Sequence, residues 1–159
     1  MRKKLYKDIF DIAAVASIYV VLTIIIQPIA YGEIQFRLSE VLMLLVFFNR
    51  KYSTSMIIGC LIANLWSPYL LWDMIFGTLA TAISCLFIIK SKHLFVASIW
   101  PVLFNGLIVG AEIAILSKLD FGMCFLFVAI GELVVVTIVG TILFSILSKN
   151  EEIIQLIKD

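Results

Sequence analysis

The chain is a succession of apolar runs separated by polar breaks of only a few residues. That pattern constrains the fold more than any other feature. A helix needs roughly 20 apolar residues to cross about 30 Å of hydrocarbon. Inside hydrocarbon, every backbone N–H and C=O must also find its partner within the protein. The runs are Ile9 to Ala30, Leu38 to Phe48, Tyr52 to Trp66, Leu70 to Ile89, Leu94 to Leu116 and Phe121 to Leu147. The second and third are short. Reading them as one re-entrant hairpin leaves Arg50 and Lys51 at mid-membrane, at about 2.5–3.5 kcal/mol each. Two short crossings with local thinning of the bilayer avoid that cost. The sequence therefore predicts an all-α integral membrane protein, six transmembrane helices in a single transmembrane domain over 1–159. Composition agrees: 63% of the 159 residues are hydrophobic and 14% are charged, against about 45–50% and about 25% in soluble domains.

Charge placement sets the expected orientation. With the N-terminus inside, Arg2, Lys3, Lys4, Lys7, Arg50, Lys51, Lys90, Lys92, Lys149 and Lys158 fall on the inner side. Only Arg37 and Lys118 fall outside, so the split is ten against two of the 12 basic residues. This bias predicts cytoplasmic N- and C-termini. Net charge is +1, which argues against a nucleic-acid partner. The first apolar run is too long for a cleaved signal peptide and is read as a retained span. There is no GxxxxGK loop and no internal repeat, so the chain is not expected to hydrolyse ATP itself. Cys60, Cys85 and Cys124 lie in apolar runs as packing residues, and His93 is a lone loop histidine. No cofactor and no metal are predicted.

Against this apolar background the polar residues stand out. "GEIQFR" is the outer loop between spans 1 and 2, with Glu33 and Arg37, and Glu40 follows at the outer end of span 2. Asn64 lies near the outer end of span 3, and Trp72 and Asp73 at the outer start of span 4. Asn105 is near mid-depth in span 5, Glu112 one turn from its outer end, and Glu132 halfway down span 6. Charges in spans are costly and mark functional sites by default. Their convergence at one depth predicts a shared cavity. Arg37 could order the outer loop as a lid by pairing with Glu40 or Glu33. Asp73 has an alternative reading as a helix cap.

Spacing adds detail. Asp73, Gly77 and Thr81 share one face of span 4, and Asn105 and Glu112 one face of span 5. Gly106 and Gly110, like Gly59 and Ala63, read as close helix-packing pairs. Ala13 and Ser17, four apart near the inner end of span 1, form a small-residue face. It could pack within the chain or against a partner.

The stretches "IYVVLT", "GEIQFRLSEVLMLL", "GCLIANL", "LWDMIFGTLAT" and "FNGLIVGAEI" resemble the queuosine-precursor transporter family, QueT. These are substrate-binding S-components of energy-coupling factor (ECF) importers in the bacterial plasma membrane. The resemblance implies a six-helix bundle that captures a 7-deazaguanine such as preQ1, preQ0 or queuine from the outside. It implies docking to an ECF module, a transmembrane T-component with two cytoplasmic ATPases, through the small-residue face of helix 1, here Ala13 and Ser17. The expected substrate-binding set is Arg37, Glu40, Asn64, Trp72, Asp73, Asn105, Glu112 and Glu132. The chemistry is compatible: carboxylates accept paired N–H donors through strong charge-assisted bonds, and an aromatic ring stacks on a flat base for about 1–3 kcal/mol. Trp72 and Trp100 are the candidate aromatics, Trp100 reading more as an interfacial belt residue. An S-component for another vitamin or nucleobase-like solute and a membrane scaffold with no solute remain open. An enzyme ranks last, because no nucleophile–histidine pair or metal motif lies within the spans.

Overall fold

The computed structural model describes residues 2–31 and 34–158; Glu33 lies outside them. Among the described residues the chain is all helix, with no strand. Helix α1 (Arg2–Ile25) begins at Arg2 rather than Ile9, because the polar lead "RKKLYKD" continues the helical winding. It stops at Ile25 rather than Ala30. Pro28 has no N–H for the Ile24 carbonyl, and its ring crowds that oxygen. The chain re-forms one turn, α2 (Gln27–Ala30), with Pro28 in it.

Helix α3 (Leu38–Phe48) is wound as a 3-10 helix for seven residues, Leu38–Leu44, and as an α-helix for four. Helix α4 (Tyr52–Trp66) is α-helical to Ala63 and closes with the 3-10 turn Asn64–Trp66. Then follow α5 (Leu71–Lys90), α6 (Leu94–Ser117), α7 (Phe121–Leu147) and α8 (Glu151–Lys158). Helix α7 changes to π winding over Leu133–Gly140, directly after Glu132. Four helices, α1, α5, α6 and α7, are long and apolar enough to cross a membrane. Helices α3 and α4 are apolar but shorter. The 3-10 winding lengthens α3: at about 2.0 Å per residue against 1.5 Å, it reaches about 20 Å.

The long elements close a ring in the order α1, α4, α5, α6, α7, α3 and back to α1. Helix α3 also touches α4, α5 and α6 across the middle, so it is an inner element of the bundle. Its burial follows: Ser39, Glu40, Val41, Met43, Leu44, Leu45 and Val46 are all inside. Gly106 and Gly110 act as the packing pair expected of them. A Cβ at Gly110 would lie 3.0 Å from the Phe125 backbone, which shows how closely α6 and α7 cross. Gly59 does the same for α4 against the Tyr19 ring of α1.

At one end of the bundle, Lys51 donates to Asp11 (2.9 Å) and Asp8 (3.3 Å). Asn49 donates to the Lys158 carbonyl at 2.9 Å. The N-terminal turns of α1, the 49–51 turn and α8 are thereby held together. At the opposite end Tyr31 and Gln35 line one cavity with Pro68, Tyr69 and the end of α6, where the Tyr69 and Ser117 hydroxyls lie 2.7 Å apart.

Candidate binding site

Below that second end, polar side chains from six elements turn inward. Arg37 comes from the extended segment before α3, Glu40 from the first turn of α3 and Asn64 from the last turn of α4. Asp73 comes from the first turn of α5, Asn105 from the middle of α6 and Glu132 from the α-to-π junction of α7. None is more than 5% exposed. In a bundle with an apolar exterior, so much buried polarity needs internal partners.

Much of it has them. Asn64 Nδ2 donates to the Asp73 carbonyl at 2.8 Å, and Tyr31 donates to Asn64 Oδ1 at 3.3 Å and to the Ala63 carbonyl at 2.9 Å. A Cβ at Gly77 would sit 2.8 Å from Asn64 Nδ2, so the missing side chain there lets Asn64 reach across to α5. The room left by Gly77 is thus filled by Asn64. Leu70 adopts φ 38°, a bend that L-residues rarely take, and the Asp73 carboxylate braces it by accepting the Tyr69 N–H at 3.3 Å. Asp73 Oδ1 lies 4.0 Å from Arg37 Nη2, and the Arg37 guanidinium sits 4.8 Å over the Tyr31 ring. Among the described residues Arg37 therefore pairs with Asp73 rather than with Glu40. Burial pushes the Tyr31 phenol up to about 12, which keeps it a neutral donor.

Deeper in, Asn105 Nδ2 donates to Glu132 Oε1 at 2.7 Å, and the Tyr19 hydroxyl donates to Glu40 Oε1. The Thr23 and Ser39 hydroxyls meet at 2.6 Å. Several buried groups have no protein partner: Glu40 Oε2, Glu132 Oε2 and Arg37 Nε. Glu40 and Glu132 are carried by elements that pack on each other, the 3-10 stretch of α3 and the π stretch of α7 that Glu132 directly precedes. Two acceptor oxygens and a guanidinium donor thus share one low-dielectric region with capacity to spare. Such an arrangement suits a solute bearing both N–H donors and an acceptor.

A cavity of about 440 Å³ opens beside this cluster, lined by Tyr31, Gln35, Pro68, Tyr69, Asp73, Ile113, Ser117, Leu119, Met123, Cys124 and Phe127. Its size falls in the range of small-molecule sites. Asp73 belongs to both the cavity wall and the polar cluster. Gln35 lines the cavity, and its carbonyl oxygen rests on Gly131, where a Cβ would come within 2.2 Å of it. The segment before α3 is therefore laid directly on α7 next to Glu132.

Trp72 and Glu112 are not brought into this cluster. They meet in a second cavity, of about 330 Å³, between α5 and α6. Trp72 is half exposed and stacks on Phe76, with ring centroids 5.7 Å apart. Trp100 sits toward the other end, donating to Ser91 Oγ at 2.9 Å. Ala13 and Ser17 are exposed on the outer face of α1, where Ser17 Oγ donates to the Ala13 carbonyl at 2.8 Å. Tyr19, Tyr31 and Gln35 join the site although no charge marks them in the sequence. Tyr19 lies within the stretch "IYVVLT", yet a tyrosine in an apolar run reads equally well as packing.

Helices long and apolar enough to cross a membrane, packed around a buried polar cluster, are the build of an α-helical membrane protein. The chain belongs to the QueT transporter family, whose model matches residues 9–149. That family is one of transporters, not of enzymes. A curated relative from Lactococcus lactis subsp. cremoris (strain MG1363), described as queuosine precursor transporter QueT, is 45% identical over 86 residues. That match covers 52% of this chain and about half (50%) of the relative's length. No solved structure matches the chain.

Proposed function

We propose that the chain is the substrate-capturing S-component of an ECF-type importer in the bacterial plasma membrane, and that its solute is a 7-deazaguanine queuosine precursor such as preQ1. The observation that carries this reading is the pair of unpartnered carboxylate oxygens on Glu40 and Glu132, buried beside Arg37 in a transporter-family chain. The Watson–Crick edge of a deazaguanine offers adjacent N–H donors to a carboxylate and a carbonyl to a guanidinium or amide. Arg37, Glu40, Asn64, Asp73, Asn105 and Glu132 form the proposed set, with Tyr31 and Tyr69 as stacking surfaces at the cavity mouth. The relative's description as a queuosine precursor transporter supports the solute class.

The chain crosses the membrane six times in this reading, as one domain with both termini inside. The ion pairs of Lys51 with Asp8 and Asp11 support it, because they set the 49–51 turn at the same end as the N-terminal turns of α1. The exposed Ala13–Ser17 face is the proposed contact with the T-component, and the two ATPases supply the energy that this chain does not.

The deciding experiment is calorimetric binding of preQ1 to the purified chain in detergent, with guanine, thiamine and riboflavin as controls. Binding of preQ1 alone is expected. Heat from another control instead moves the solute and keeps the capture role. Silence from all four in a folded sample overturns the reading in favour of a scaffold. Glu132→Gln is expected to abolish the preQ1 heat while leaving the thermal melting point close to that of the parent chain.

A further inference from the structure

We propose that the cavity between α5 and α6 holds the ammonium headgroup of a membrane lipid, with Glu112 as its counter-ion. Glu112 is 3% exposed, and neither carboxylate oxygen has a hydrogen-bond partner. No Lys or Arg among the described residues forms a salt bridge with it. A carboxyl group so placed either stays protonated or takes a cation or N–H donors from outside the chain, and the aromatic pair beside it favours the cation. A primary ammonium carries three donors on one point charge, enough for both oxygens.

The rest of the cavity specifies how that ammonium arrives. Trp72 and Phe76 stack with their rings 6° from parallel, and both line the same cavity as Glu112. Their faces attract a cation, and a tryptophan at a helix end sits at headgroup depth. The flanks are Leu79, Leu107 and Ile115, 47%, 42% and 75% exposed. Such side chains, on the outside of two membrane-length helices, are covered by acyl chains rather than water. A free cation would find no aqueous wall there. A lipid with an amine head satisfies both halves of the cavity, the carboxylate with its nitrogen and the apolar flanks with its tails. This cavity shares no lining residue with the one beside the Glu40–Glu132 cluster, and the proposal does not depend on the identity of the transported solute.

The test is tryptophan quenching in reconstituted vesicles, using the variant chain with Trp66→Phe and Trp100→Phe so that only Trp72 emits. Brominated phosphatidylethanolamine and brominated phosphatidylglycerol are compared as quenchers in otherwise matched membranes. Stronger quenching by the ethanolamine lipid is expected, with loss of that excess on Glu112→Gln. Equal quenching by the two lipids overturns the proposal, as does an excess that survives Glu112→Gln. Equal quenching with Trp72 emission shifted by a soluble alkylamine replaces the lipid by a free cation and overturns it too. Should the substituted chains not fold, native mass spectrometry of the parent chain decides: retention of phosphatidylethanolamine over phosphatidylglycerol and phosphatidylcholine supports the site, and no preference overturns it.

Discussion

Single atoms decide most of the chemistry proposed for the site. The Tyr19 hydroxyl is the donor that satisfies Glu40 Oε1, while Oε2 has no partner. Tyr19→Phe removes that donor and leaves a buried carboxylate without any hydrogen bond, at about 1–3 kcal/mol. The expected outcome is a lower melting point together with weaker preQ1 binding, read by calorimetry; unchanged affinity would separate Glu40 from the solute. Gly131→Ala tests the neighbouring contact. Its Cβ would meet the Gln35 carbonyl at 2.2 Å, so the segment before α3 must move off α7, at about 1–3 kcal/mol for overpacking. Scanning calorimetry of the variant checks this. The acids and amides that the cluster gathers stand out in the sequence because a polar group in an apolar run is costly, although Glu112, equally conspicuous, lies in the second cavity. Tyr19 and Tyr31 do not stand out, because their rings suit an apolar neighbourhood and only the partner of the hydroxyl shows their role. Trp72, next to Asp73 in sequence, points to a different side of the helix and lines the second cavity.

At the scale of elements, α1 joins the two ends of the molecule. Its buried edge carries Tyr19 and Thr23 to the polar cluster, and its outer edge exposes Ala13 and Ser17. Ala13→Trp is expected to leave preQ1 binding intact and to abolish uptake in cells that supply the coupling module; normal uptake would reject this face as the contact. The inner end of α1 is held by Lys51. Burial pulls the Lys51 ammonium down, but its hydrogen bonds to Asp11 and Asp8 outweigh that and raise it above its ordinary 10.5. A raised cation stabilises the fold below the unfolded value and loses that contribution as pH climbs through the folded one. The melting-point gap between the parent chain and Lys51→Met should therefore be constant through neutral pH and close above about 10.5. The extent of α1 was only partly legible. Apolar periodicity cannot mark where a polar lead begins to coil, and Pro28 was the one local signal for the break after Ile25.

For the whole molecule, the discriminating position is the 49–51 turn. Four crossings or six place Lys118 on the same side of the membrane, but six put Arg50 at the cytoplasmic surface whereas a re-entrant hairpin leaves it at mid-membrane. Cys60, Cys85 and Cys124 are buried, so the parent chain should be silent to a membrane-impermeant maleimide. Arg50→Cys, at an exposed site, is expected to label only from the cytoplasmic side, and Lys118→Cys only from outside. Absence of cytoplasmic labelling at Arg50→Cys, with Lys118→Cys still labelled from outside, would favour the re-entrant hairpin. The helical class and the membrane setting were readable from composition and run length. The inner place of α3 was not, because its apolar residues look alike whether lipid or protein surrounds them, and only the closure of the ring distinguishes the two. That inner place has a consequence for how Glu40 is aimed. Seven residues wound as a 3-10 helix make about 2.3 turns over about 14 Å; the same residues as an α-helix make about 1.9 turns over about 10.5 Å. Helix α3 is thus a screw whose thread, tied at one end to Arg37 and at the other to Leu45, sets both the depth and the bearing of the carboxylate at the centre of the protein.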